Sequence, residues 1–369
     1  MTGADALQAP PAPPDLRAVL HRARRRRRWQ FAALVALLLG SSLVALSVGP
    51  MRIPPAEIGG FFLSRVTGGE SSLDGSSQIV IERIRLPRLA MSALVGAALA
   101  VAGAAMQGLF RNPLADPGLI GISAGAAVGA VAVIVLGQGF LPRLPDWAAP
   151  FLLAAAAFAG CLCATLLIYR LSLHEGQPIV ATMLLAGVAV NALCGAITAF
   201  MTFLASDQQV RDVTFWLLGS LGGATWAKTG IVAICVLPGL VLLPRAARAL
   251  NALLLGESDA EHLGFDPNRT KWIVIAASTV MVGASVAFTG IVAFVGLIVP
   301  HAVRLAAGPD HRFLLPASAL LGAALMTAAD SLARCVVAPA ELPIGILTSL
   351  IGAPFFLWLL LRAKGAWQP

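Results

Sequence analysis

Nine uncharged, apolar-dominated stretches follow one another along the chain, and no other feature limits its folding so strongly. They are Gln30 to Val48, Leu89 to Phe110, Pro117 to Leu141, Trp147 to Tyr169, Gly176 to Ser206, Thr229 to Pro244, Trp272 to Val303, Phe313 to Ala329 and Leu342 to Leu361. An α-helix needs about 20 apolar residues to cross a hydrocarbon core of about 30 Å. Backbone polar groups find no partner in lipid unless a helix or closed barrel supplies one, so these stretches predict membrane-spanning helices. Composition agrees: 58% of the 369 residues are apolar and 12% are charged. Soluble domains carry roughly twice that share of charge, so a soluble globular enzyme is excluded.

Trp272 to Val303 is too long for one span, and a turn at Phe288-Thr289-Gly290 splits it into two. The expected fold is therefore an all-α polytopic membrane protein with about ten transmembrane helices. The distribution of charge supports ten spans with both termini on the cytoplasmic side. That topology puts Arg17, Arg22, Arg24 to Arg28, Arg111, Arg170, Arg245, Arg248, Arg269, Lys271, Arg304, Arg312, Arg362 and Lys364 inside, well over half of the 26 Lys and Arg. The formal charge of +8 thus reads as membrane orientation, with no nucleic-acid partner. Residues 1–29, rich in Pro and Arg, read as a disordered cytoplasmic tail, and residues 30–369 as the membrane domain.

Neither cysteine spacing nor any P-loop or H-E-x-x-H pattern indicates a metal site, a disulfide framework or a catalytic centre. Gly121, Gly125 and Gly129, four apart, suit close packing of two backbones. Asp116-Pro117-Gly118 reads as the N-cap of the third span. Asp330 and Arg334 have the i,i+4 spacing of an ion pair, His301 reads as a satisfied hydrogen-bonding histidine, and Met106-Gln107 and Asn191 read as helix–helix glue. Two connections, Gly49 to Arg88 and Arg245 to Lys271, are too long for simple turns and offer partner sites. Within the second, Leu250, Leu253, Leu254 and Leu255 precede a break at Gly256. Ser258 and Glu261 have capping-box spacing, and Gly264 with Asp266-Pro267 stops the segment. Two short surface helices over about 250–264 are expected, with Glu257, Ala260 and Leu263 on the second.

Seven motifs in this order resemble one family: Arg85-Leu-Pro-Arg88, Gly108 to Gly121 (GLFRNPLADPGLIG), Leu185-Ala-Gly-Val188, Phe215 to Ser220 (FWLLGS), Leu255 to Gly264, Gly296 to His301 (GLIVPH) and Glu341-Leu-Pro-Ile-Gly345. Together they resemble the permease subunits of ABC importers for iron chelates, haem and vitamin B12, the FecCD type. The resemblance implies a type II importer permease fold and a homodimer in the bacterial inner membrane. It also implies two copies of a cytoplasmic ABC ATPase, which hydrolyse ATP with Mg, and a periplasmic substrate-binding protein; the permease is not an enzyme and keeps no cofactor of its own. Arg85, Arg88 and Arg334 match arginines that meet acidic groups of the binding protein. Asn112 and Leu114 match the cytoplasmic gate, and Val180 and Ala181 stand where other members carry small hydroxyl residues. Leu253, Leu254, Gly256, Glu257, Ser258, Ala260, Glu261, Leu263 and Gly264 match the region that couples to the ATPase. Asp207 to Trp216, with Gly219 to Trp226, looks most like the haem-uptake branch. Haem import is the expected function, with ferric siderophore or vitamin B12 as alternatives and an ion-coupled secondary transporter as a more distant one.

Overall fold

The computed structural model describes residues 16–69, 73–137, 145 and 148–364. In chain order the helices are α1 (Leu16–Ser47), α2 (Pro55–Thr67), α3 (Gly75–Ile79), α4 (Leu86–Leu109), α5 (Ile122–Leu136), α6 (Ala149–Leu171), α7 (Val180–Phe203), α8 (Asp207–Leu218), α9 (Trp226–Arg245), α10 (Ala247–Leu253), α11 (Glu257–His262), α12 (Pro267–Thr289), α13 (Val295–Ala307), α14 (His311–Val336) and α15 (Ile344–Lys364). A π turn, Val80–Arg85, runs directly into α4, and a two-residue hairpin, β1 (Leu173–His174) with β2 (Gln177–Pro178), joins α6 to α7.

Among the described residues, seven helical segments are long and apolar enough to span a membrane, and α5, α13 and the apolar part of α15 are shorter. These ten correspond one for one to the ten expected spans, and the break after Thr289 falls where the turn was placed. The ends of the third and fourth expected spans, at Leu141 and Trp147, lie outside the described residues. At 13 residues α13 is only about 20 Å long, too short to cross alone.

The packing follows from residue size. α4 and α12 are the most enclosed helices. α4 lies against α9, α12, α13 and α14, and small residues allow these approaches. Gly125 on α5 faces the Gly160 backbone of α6, and Gly129 faces Ala156, so a Cβ at either would collide with a carbonyl. This is the close packing that the glycine spacing predicts. Asn191 Nδ2 donates to the Gly118 carbonyl at 3.2 Å, helix to loop, as expected of a polar group at depth. Asp116 accepts from the Gly118 N–H at 2.7 Å, but what it caps is a single 3-10 turn, Pro117–Ile120, and α5 begins only at Ile122.

The basic N-terminal segment departs from its expected disorder. Residues 1–15 lie outside the described residues, whereas from Leu16 onward the chain is helical and continuous with the first span. Tertiary contacts explain the order: Arg26 donates to the Ala306 carbonyl at 3.0 Å, and Arg27 pairs with Asp310 at 2.9 Å and lies over Phe313. Asp310 also caps α14 and accepts from Asn251 of α10 at 2.8 Å. Burial alone would raise its pKa, but hydrogen bonds from Asn251, the Arg312 N–H and Arg27, with the Arg27 charge, hold it below the ordinary carboxylate value. A depressed folded pKa contributes stability that is complete above about pH 4, the unfolded value, and lost as pH falls through the lower folded one. Hydrogen exchange at residues 24–30 should therefore accelerate on acidification below about pH 4; the Asp310→Asn variant should show fast exchange already at pH 7.

Candidate translocation path and coupling region

The helix ends define two faces. On the N-terminal face lie the start of α1, the link after α4, the β-hairpin, α10, α11 and the α13–α14 turn. On the far face lie the end of α1, α2, α3, the π turn and the end of α14.

On the far face, Arg85, Arg88 and Arg334 are brought together but not displayed. Their exposures are 4%, 6% and 8%. Arg88 makes a bidentate contact to Asp330 at 2.9–3.0 Å and reaches Glu341 at 2.7 Å. Arg334 pairs with Asp330 at 3.3 Å, as the i,i+4 spacing predicts, and donates to the Ala45 carbonyl at 3.1 Å. Arg85 donates to the carbonyls of Leu46 and Met51. The guanidinium groups that the resemblance assigns to an acidic partner are thus, within the single chain, buried and bonded to its own acceptors. Each is used up by the chain's own acceptors, because α1, α4 and α14 end at the same level and leave carbonyls and a carboxylate between them.

Below that node three helical breaks meet. The Ser220 N–H donates to Thr289 O at 2.7 Å and the Ile344 N–H to Gly219 O at 3.0 Å, tying the α8–α9, α12–α13 and α14–α15 links together. Irregular backbone at this depth is tolerated only when enclosed by protein or lining a cavity, and here it does both. Leu217, Leu218, Ile291, Ala293, Gly345, Ile346, Ser349 and Leu350 line a concavity of about 410 Å³ beside it. Asp207 to Trp216, which enters the sequence reading only as a likeness to the haem-uptake branch, lies in a helix, α8. α8 carries a full capping box between Ser206 and Gln209, a signal that was available in the sequence.

On the N-terminal face, Asn112 shapes the link after α4: its side-chain oxygen accepts from the Leu114 N–H at 2.9 Å. Leu114 is half-exposed and lies with Pro113 against Leu297, Ile298, His301, Phe355 and Phe356. His301 differs from expectation, since neither ring nitrogen has a partner and the ring packs edge-on to Phe355. Val180 and Ala181 open α7 directly after the hairpin, Val180 partly buried and Ala181 exposed.

The two short helices form as expected, α10 and α11, broken at Gly256, whose φ of +151° favours glycine. The expected capping box does not form. Gly256 itself is the N-cap, without a side-chain cap, and Ser258 lies inside the helix with its carbonyl against His262 Nδ1 at 2.7 Å. Gly264, at φ +83°, and the Asp266 cap of α12 end the segment as expected. Leu253 and Ala260 are buried, while Leu254, Ser258, Glu261, Leu263 and Gly264 are exposed, so α10–α11 presents an outward surface from an anchored base. Glu257, less exposed, points back to Lys271 at 2.7 Å and Arg111 at 3.7 Å.

Residues 36–362 match the FecCD transport family. The chain belongs to that family. It is 44% identical over 328 residues to the hemin transport system permease protein HmuU of Yersinia pestis, covering 89% of this chain and 96% of that protein. It is 40% identical over 342 residues to the vitamin B12 import system permease protein BtuC of Klebsiella pneumoniae, covering 93% and 96%. A solved structure, an inward-facing conformation of a metal-chelate type ABC transporter, superposes with a TM-score of 0.78 at 30% identity, over 90% of this chain and 98% of that one. As a FecCD permease the chain is the membrane subunit of an ABC importer, and ATP hydrolysis belongs to a separate subunit. The spacing Gly121-Ile-Ser123-Ala-Gly125 matches a nucleophile elbow in letters only. Ser123 follows a 3-10 turn, not a strand, and opens a membrane helix.

Proposed function

We propose that this FecCD permease carries haem from a periplasmic binding protein on the far face to the cytoplasm at the N-terminal face. It acts as a homodimer in the bacterial inner membrane, driven by two copies of the ATPase bound at α10 and α11. The observation that carries this reading is the 44% identity to the hemin permease over 96% of that protein, set against 47% to a cobalamin permease of Halobacterium salinarum over 74% of its length. The concavity fits it physically, because among the described residues its lining is apolar apart from Ser349 and holds no His, Tyr, Cys or Met. A large, mostly apolar cargo would pass by shape and dispersion, without axial ligation of the iron. Large exposed side chains on α7, α8 and α15, including Phe203, Phe215 and Leu350, offer an apolar surface for a second copy across the path.

Cobalamin import is the second reading, favoured by the similarity to vitamin B12 permeases at 39–40% identity over nearly their whole length. Proteoliposomes holding the permease and ATPase, supplied in turn with the cognate binding protein and haem, cobalamin or a ferric siderophore, distinguish these. ATP-dependent accumulation of haem alone is the expected result. Accumulation of cobalamin or the siderophore instead would replace haem, and uptake driven by an ion gradient without the ATPase would overturn the importer mechanism.

A further inference from the structure

Lys271 is the fifth residue of α12 and is 4% exposed, a setting in which an ammonium group needs fixed partners. It has two. Its Nζ donates to the Pro178 carbonyl of β2 at 3.0 Å and to Glu257 Oε2 at 2.7 Å. Pro178 stands two residues before Val180, where α7 begins, and Glu257 is the first residue of α11. The other oxygen of Glu257 faces Arg111 at 3.7 Å. Arg111 opens the link that holds Asn112 and Leu114, and its φ of +49° is a left-handed value rare outside glycine. One charged node therefore joins four pieces of chain: the short surface helix, the foot of α12, the hairpin leading into α7 and the link after α4.

We infer that Lys271 and Glu257 are positioning residues for energy coupling, a strut that passes displacement of α11 to both links at the N-terminal end of the path. The inference rests on the reading of α10–α11 as the ATPase surface and of those links as the gate. Its physical basis is that a nearly buried ammonium group cannot leave one partner without losing the fixed geometry of the other. When α11 moves with the ATPase, Glu257 pulls on Lys271 and Arg111 together, and the Pro178 carbonyl follows. A purely apolar contact in the same place would allow α11 to slide.

The test uses the full complex of permease and ATPase in nanodiscs. Leu114→Cys is introduced in a background in which the exposed Cys163 and Cys335 are serine, and the labelling rate with a membrane-impermeant maleimide is measured with and without ATP and Mg. With the native strut, ATP should change the Leu114→Cys rate by about fivefold or more. Lys271→Met and Glu257→Gln should each reduce that change to less than about twofold, and the double variant should be no worse than either alone, as for residues acting as a unit. Lys271→Arg, which keeps charge and donors, should restore most of the response and shows that loss in the methionine variant is not misfolding. A full ATP response in Lys271→Met would overturn the strut alone. An unresponsive complex with the native strut would overturn the gate reading, and the strut with it.

Discussion

Replacing Asp330 by alanine is expected to destabilise the protein by about 3–5 kcal/mol, the cost of removing one partner from a buried charge pair. Asp330 is 3% exposed and shared by two guanidinium groups, Arg88 and Arg334. Without it those cations face each other with one carboxylate, Glu341, on Arg88 and backbone carbonyls on Arg334. The neighbouring substitution supplies the contrast. Glu341 keeps a 43% exposed side chain, so water screens its ion pair, and Glu341→Ala should cost no more than about 1 kcal/mol. Thermal denaturation of the detergent-solubilised variants, followed by the loss of monodisperse protein, measures both. Equal losses, or a larger loss for Glu341→Ala, would contradict the view that the far-face arginines are held inside the fold.

Ala260→Pro is expected to abolish coupled transport. Ala260 is fully buried in α11, and its N–H donates to the Gly256 carbonyl at 3.1 Å. Proline removes that donor and drives its ring against the preceding turn, costing about 3 kcal/mol or more in a helix of six residues that has little else to hold it. The rest of the bundle does not depend on this turn, because Asp266 caps α12 and α10 packs against α4, α9, α12 and α14. Uptake per ATP hydrolysed in proteoliposomes should fall at least about tenfold, the factor that 1.4 kcal/mol commands, while the span helices keep their circular-dichroism signal. Coupled uptake at the native ratio would show that α11 is not the element that meets the ATPase.

Much of this architecture was legible before any coordinates. Hydropathy is a local property, so ten spans, the split at Thr289 and the break at Gly256 could all be read from single stretches of sequence. Glycine spacing marked a close-packing face on α5 for the same reason, though not the helix, α6, that fills it. What stayed hidden depends on partners remote in sequence. Arg88 and Asp330 are 242 residues apart, and Arg334 and Ala45 are 289 apart. An arginine near a helix end reads equally well as a docking group or as a buried cap, and only the packing of α1, α4 and α14 decided for the second. Arg26 and Arg27 read locally as part of a disordered tail for the same reason, since their acceptors, Ala306 and Asp310, come from the other end of the chain.

Sequence by itself determined that this chain is an all-α membrane protein of about ten apolar helical segments with a broken helix pair between the sixth and seventh, and its motifs placed it with ABC importer permeases. The helical segments and the broken pair arise from the free energy of apolar side chains in lipid and from backbone rules at glycine and proline, which neighbours alone set; the family follows from the motifs. Tertiary structure decided which charges are spent inside and which are left for partners. It drew Arg85, Arg88 and Arg334 inward and joined Lys271, Glu257 and Arg111 into one node. The reason is electrostatic: a charge removed from water must find its counter-charge or a carbonyl within hydrogen-bonding distance, and only the folded chain sets those distances.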